Sequence, residues 1–146
     1  DEQWDEVLDT NLSGAFRLTR AVAPFFRAQE YGKIVNVASV HAHRSEFGLA
    51  NYAASKAGLV ALTRSAAVEL GPSNVNVNAV APGSMDTEMV REMATPEQMQ
   101  SEAKKIPLRR LGTSQDEADL VAFLCSEESS YITGATIDIN GGDLII

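Results

Sequence analysis

Hydrophobic and polar positions follow two different periods along this chain. From about residue 4 to 29, Leu8, Leu12, Ala15, Val22 and Phe26 fall on one stripe at helical spacing, which predicts a long helix. Asn11, Ser13 and Gly14 interrupt it, and short polar side chains that compete for backbone hydrogen bonds predict a local irregularity there. Tyr31-Gly32 ends the stripe. Lys33 to Ser39 is short, β-branched and nearly continuous, the pattern of a buried strand. A polar loop from His41 to Asn51 leads into a second helix, Tyr52–Leu70, with Leu59, Leu62, Ala66 and Leu70 on one face and Gly71-Pro72 as its stop. Val75 to Ala81 reads as a second strand, closed by Pro82-Gly83. Ser84 to Leu111 is weakly periodic and polar, with Thr95-Pro96-Glu97 resembling a helix start, and reads as a mobile excursion. Ser114 or Asp116 then caps a helix to about Cys125. Ala135 to Asn140 alternates as a third strand, which Asn140-Gly141-Gly142 turns off.

Strands that alternate with helices predict α/β construction around a parallel sheet with right-handed crossovers. Three strands and three or four helices make a thin sheet, and the first helix arrives without the strand that would open a complete doubly wound domain. The 146 residues suit one domain. Their composition, 45% hydrophobic and 22% charged, is that of an ordinary globular chain, and the net charge of −8 argues against a nucleic-acid or anionic-membrane surface. No apolar run is long enough to span a bilayer. Cys125 is the one cysteine, which excludes an internal disulfide, suits a reducing, cytoplasmic location, and reads from Val121-Ala122-Phe123-Leu124 as a core thiol. The chain opens Asp1-Glu2-Gln3-Trp4 rather than with Met, as a fragment or processed chain does.

In open parallel sheets, chemistry collects beyond the carboxyl ends of the strands. Ser39 ends the first strand, Pro82-Gly83 the second with Thr87 just beyond, and Asn11 marks the disturbed helix. Tyr52 and Lys56 lie one turn apart on one helix face. Bringing a tyrosine from about 10 to about 7 takes roughly 4 kcal/mol. One cation about 4 Å away supplies roughly that at an effective dielectric near 20. Each feature alone has a plainer reading. Tyr-x-x-x-Lys occurs by chance in many helices, Ser39 satisfies a strand end, Asn11 is a kink residue, and Pro82-Gly83 is a loop. His41 and His43 lack the further Cys or acidic ligands of a metal site, so no metal is expected, and they flank the mouth after Ser39.

Together the segments resemble the short-chain dehydrogenase/reductase family, in that family's order. Asn11-Leu-Ser-Gly is similar to its helix bearing a catalytic Asn, Ile34-Val-Asn-Val-Ala-Ser39 to its strand ending in the catalytic Ser, and Tyr52-Ala-Ala-Ser-Lys56 to its Tyr-x-x-x-Lys signature. Val77-Asn-Ala-Val-Ala-Pro82-Gly83 with Thr87 resembles its nicotinamide-side loop, and Ile132 to Gly142 its closing strand and turn. The resemblance implies the C-terminal half of a Rossmann-like doubly wound parallel sheet. It implies an NAD(P)-dependent oxidoreductase in which Tyr52 is the acid or base and Lys56 favours the phenolate and holds the nicotinamide ribose. Ser39 would orient the substrate oxygen, and Asn11 would hold a water that relays protons to Lys56. Tyr52, Lys56, Pro82, Gly83 and Thr87 would meet the cofactor. The substrate would be a small carbonyl or alcohol compound.

One part of the family pattern is absent from these residues: the Gly-rich turn whose backbone amides hold a dinucleotide pyrophosphate. Residues 1–146 are therefore expected to form one partial domain lacking that N-terminal cofactor-binding half, with NAD and NADP equally open. The alternative is a non-catalytic fragment that acts only as a folding or assembly module. The Lys33–Ser39 strand would then present an apolar edge, which predicts homo-oligomers formed by edge-strand pairing or swapping.

Overall fold

A computed structural model describes all residues, Asp1 to Ile146. Its first stripe splits into three pieces: α1 (Glu2–Leu8), a π-helical turn (Asp9–Ser13) and α2 (Gly14–Gln29). The Gly14 N–H reaches back to the Asp9 carbonyl, so the expected irregularity is one wide turn in a helix that otherwise continues. Glu30 ends α2 in the left-handed conformation, φ 52°. Asn74, φ 57°, makes the matching corner before the second strand and donates to the Glu30 carbonyl at 3.1 Å. Gly32 is required by contact, since a Cβ there would lie 2.4 Å from the Phe26 ring.

The main sheet is parallel, with β2 (Val75–Pro82) between β1 (Gly32–Val37) and β5 (Thr136–Ile139). Gly32 pairs with Val75 and Val37 with Val80, while Ala79 pairs with Thr136 and Pro82 with Ile139. The long helix α3 (Ala50–Leu70) lies on one face and starts two residues before the expected Tyr52. Ala66, Ala67 and Leu70 pack on Val75 and Val77, with Phe26 of α2 and Ile34 of β1 joining them. Val60 packs on Ala38 and Ala79.

Side chains alternate faces along a strand, so Asn76 and Asn78 point to the side opposite α3. Both are buried and bonded through oxygen and nitrogen. Asn76 accepts from Lys33 and donates to the Ser130 and Ile132 carbonyls, while Asn78 donates to Ile132 and accepts from Ala135 N–H. Buried amides satisfied in this way are tolerated, and these two pin the segment that leads into β5.

Three expectations change. Ser84–Leu111 is an ordered pair of helices, α4 (Glu88–Met93) and α5 (Pro96–Lys105), framed by a two-stranded parallel ladder of β3 (Met85–Asp86) and β4 (Gly112–Thr113). Thr95 and Gln98 cap each other's backbone N–H groups at the start of α5, a polar device that hydrophobic periodicity does not register. The cap of α6 (Ser114–Cys125) is Thr113, not Ser114 or Asp116, and Asp116 completes the box from the third helical position. Cys125 is exposed rather than a core thiol, because the apolar residues before it wrap around α6 and only Leu124 is buried. No helix is long and apolar enough to cross a membrane.

Candidate functional site

The site gathers where β1 and β2 end. Ser39 is buried and extended, φ −173°, and starts a short 3-10 turn (Val40–Ala42) that carries the chain off the sheet. Its Oγ accepts the His41 N–H at 3.2 Å and lies 3.2 Å from His41 Nδ1. The His41 ring stands edge-on to Tyr52, with centroids 5.9 Å apart and planes at 67°. Ser39 and Tyr52 therefore meet through His41.

Lys56 lies one helical turn beyond Tyr52. Its Nζ donates to the Val37 carbonyl at 2.9 Å and sits 5.5 Å from the Tyr52 ring centroid. The ammonium thus faces the ring and the end of β1, a cation–π arrangement. Burial holds Lys56 below the usual lysine range, and the more distant Glu117 partly opposes this. The hydrogen bonds made at Tyr52 run through its backbone, from its N–H to Asn51 Oδ1 and from Ser55 Oγ to its carbonyl.

Asn11 is carried by the π-helical turn. Its amide donates to Ser55 Oγ at 3.1 Å, and Ser55 in turn donates to the Tyr52 carbonyl at 2.7 Å. Gly58 makes this approach possible, because a Cβ there would lie 2.7 Å from Leu12 Cδ2. The Asn11 side chain is directed at Ser55 rather than at Lys56, so its link to the Tyr–Lys pair runs through the α3 backbone.

Pro82 closes β2, and Gly83 N–H bonds the Ile139 carbonyl at 3.0 Å. A side chain on Gly83 would lie 2.7 Å from Asn140 Cβ, so this glycine serves a close approach of two strand ends. Thr87 caps α4, its Oγ1 accepting Val90 N–H at 3.3 Å, which leaves its hydroxyl hydrogen available.

A cleft of about 570 Å³ opens between the loop after Ser39 and the α4–α5 pair; Val40, His41, Arg44, Gln98, Met99 and Leu111 are among its walls. Of the two histidines His41 lines it, whereas His43 is exposed and does not. Ser39 and Tyr52 lie behind the His41 wall. Sequence reasoning missed Arg44, whose guanidinium is 2.7 Å from Asp143 and 3.7 Å from Glu46. No local spacing links a loop residue to one near the end of the chain.

For a nicotinamide dinucleotide, the donor set at Tyr52 and Lys56 fits ribose hydroxyls in kind, since the ammonium stands over the tyrosine ring at a strand end. The Gly-rich turn that holds pyrophosphate is not among these residues.

A family model described as enoyl-(acyl carrier protein) reductase matches residues 1–143. The 3-oxoacyl-(acyl-carrier-protein) reductase FabG of Escherichia coli is 42% identical over 142 residues, which is 97% of this chain and 58% of that protein. Among solved structures, a 3-oxoacyl-(acyl-carrier protein) reductase from Brucella melitensis superposes with a TM-score of 0.92 at 39% identity, covering 97% of this chain and 53% of that one. A protein described as a gluconate dehydrogenase, from Agrobacterium tumefaciens, superposes with a TM-score of 0.94 at 33% identity, covering 99% of this chain and 58% of that one. The chain thus spans somewhat over half the length of the relatives it matches.

Proposed function

This chain belongs to the short-chain dehydrogenase/reductase family, and we propose that it carries the acid–base half of a nicotinamide-dependent carbonyl/alcohol oxidoreductase site. The observation that carries the reading is the convergence of Ser39, Tyr52, Lys56 and Asn11 at the carboxyl end of β1, where an α/β sheet binds ligands. Tyr52 exchanges the proton with the substrate oxygen. Lys56 faces that ring from 5.5 Å and brings a positive charge to the proton-transfer site. Ser39 orients the same oxygen by hydrogen bonding. Asn11 holds the first turn of α3 through Ser55, which fixes where Tyr52 stands.

Tyr52 and Lys56 would hold the ribose end of NAD or NADP, with the Pro82–Gly83 turn and Thr87 beside it. The cofactor, when bound, gives or takes the hydride. The other residues of the site act only on the proton and on orientation.

For substrate, the reading is a 3-oxoacyl thioester, reduced to the 3-hydroxy form. Its support is the reductase activity named for the Escherichia coli and Brucella proteins. The cleft beside His41, with Met99 and Leu111 among its apolar walls, suits a short acyl group. A polyhydroxy acid is the second reading, favoured by the Agrobacterium protein's description and by the polar side of the cleft, where Arg44 and Lys105 stand beside Glu46 and Glu102.

The test grafts this chain in place of the matched stretch of the Escherichia coli reductase. The folded chimera is assayed with NADH and NADPH against acetoacetyl-CoA and, in the oxidative direction, with NAD+ and NADP+ against gluconate. Turnover of acetoacetyl-CoA that falls about 10²- to 10⁴-fold in Tyr52→Phe supports the reading. A folded chimera inactive on both substrates, or one in which Tyr52→Phe keeps full activity, overturns it.

A further inference from the structure

His41 and Ser39 are joined twice, through the backbone N–H of His41 and through its Nδ1, each 3.2 Å from Ser39 Oγ. The other ring nitrogen, Nε2, is shut off from solvent and faces the Glu46 carboxylate, with Oε1 at 3.3 Å. That contact is at ion-pair distance without hydrogen-bond alignment. Arg44 stands 3.7 Å from the same Glu46 oxygen and 2.7 Å from Asp143, so the loop holding Glu46 is tied to the closing turn of the chain. The charged and titratable groups around the ring come from four elements. They are Glu46 and Arg44 on its own loop, Tyr52 with Lys56 on α3, Asp143 through Arg44, and Glu102 and Lys105 of α5 on the far wall of the cleft.

The valences of the two side chains restrict this arrangement. A ring nitrogen that faces a carboxylate carries a hydrogen there, because a lone pair would be repelled. With hydrogen on Nε2, the nitrogen that gains or loses a proton is Nδ1. A bare Nδ1 accepts the Ser39 O–H. A protonated Nδ1 donates to Ser39 Oγ instead, and the hydroxyl hydrogen is freed. A hydroxyl has one hydrogen, so the two uses exclude each other.

We propose that His41 is a positioning residue for Ser39: the proton on its Nδ1 decides whether the Ser39 hydroxyl donates to His41 or to the substrate oxygen, and Glu46 fixes the ring so that Nδ1 is the switching nitrogen. The inference rests on the reading of Ser39 as the residue that orients that oxygen. A carbonyl oxygen only accepts, so the charged form of His41 equips Ser39 for carbonyl reduction and the neutral form withdraws its hydrogen. The proton on Nδ1 exchanges with solvent and is not consumed in the reaction.

The first test needs neither cofactor nor substrate. Long-range proton–nitrogen correlation spectra of the whole chain resolve two histidines, with the exposed His43 as internal reference. The expected result is that rising pH strips the proton from His41 Nδ1 while Nε2 keeps its own. Ser39→Ala should move the His41 Nδ1 resonance without moving His43, and Glu46→Ala should give His41 a mixed tautomer population. Loss of the proton from Nε2, or an unchanged tautomer in Glu46→Ala, overturns the proposal. The second test is the pH profile of kcat in the chimera. His41→Leu, which cannot take the Ser39 hydrogen, should erase the limb by which kcat for carbonyl reduction falls as His41 deprotonates, while His43→Leu retains that limb. A limb that persists in His41→Leu also overturns the proposal. If the spectra behave as expected and the folded wild-type chimera is inactive on both substrates, the functional reading fails and the His41–Ser39 coupling stands.

Discussion

Lys56 Nζ donates to the Val37 carbonyl at 2.9 Å, which ties the helix bearing Tyr52 to the last residue of β1, two positions before Ser39. The bond spans two elements that the backbone ladder does not connect, and so sets the spacing between the proposed acid–base and the proposed orienting hydroxyl. Lys56→Met is expected to cost the chimera at least about tenfold in kcat. The sign of its effect on stability follows from burial. Lys56 is held below its ordinary value, so in the fold its charge carries a penalty that is present at low and neutral pH. The penalty is relieved as pH rises through the folded value toward the ordinary lysine value. The stability of the wild type relative to Lys56→Met should therefore increase with pH, as measured by urea unfolding from neutral to alkaline pH.

Ser55 is wholly buried and accepts from Asn11 while donating to the Tyr52 carbonyl. Ser55→Ala leaves the Asn11 amide facing a methyl group, and a stranded donor of this kind costs about 1–3 kcal/mol. The expected loss in denaturant unfolding should come with a drop in kcat, because the first turn of α3 loses its brace. Asn11→Ala should cost less in stability, since it removes the donor and leaves no unpaired amide.

Gly83→Ala places a methyl 2.7 Å from Asn140 Cβ and 3.0 Å from its Cα. Backbone must shift to relieve this, which predicts a loss of about 1–3 kcal/mol. Gly71, with open space around its would-be Cβ, should accept alanine within about 0.5 kcal/mol. Parallel thermal melts of the two variants test the contrast.

Asp116 accepts from both guanidinium nitrogens of Arg110 and from the Thr113 N–H, and these contacts, the arginine's first, hold its carboxyl far below the usual range. A carboxylate lowered in the fold adds stability above its unfolded value of about 3.9, and that stability is lost as pH falls through the folded value. Asp116→Asn should be less stable than wild type at neutral pH, and the gap should begin to narrow as pH falls below about 3.9, toward the lowered folded value. A gap that does not narrow in acid would mean that the carboxylate charge is not its source.

β1 ends the strand order, and Val37 at its tip is 46% exposed. An apolar edge invites strand addition, and lysine on an edge opposes it. Val37→Lys should reduce concentration-dependent self-association of this chain in sedimentation velocity; equal association in both proteins would place the contact elsewhere.

The sequence by itself determined the order and type of the main elements. Continuous β-branched runs at Lys33–Ser39 and Val75–Ala81 and the three-to-four spacing of Leu59, Ala66 and Leu70 record burial directly, since each position reports the face it occupies. It also determined the candidate residues, because the Ser39, Tyr52-x-x-x-Lys56 and Asn11 segments keep their spacing whatever the surroundings. Tertiary structure alone decided what those side chains touch. The helix start read at Thr95-Pro96-Glu97 is where α5 begins, but the cap at Thr113, the exposure of Cys125 and the ordering of Ser84–Leu111 as a whole depend on polar contacts and on which helix face meets a neighbour, and one-dimensional periodicity carries neither. The same holds at the site. Asn11 is bound to Ser55, Lys56 to the Val37 carbonyl, and His41 between Ser39 and Glu46, and the Arg44–Asp143 pair joins residues far apart in the chain, which only folding brings within a hydrogen-bond length.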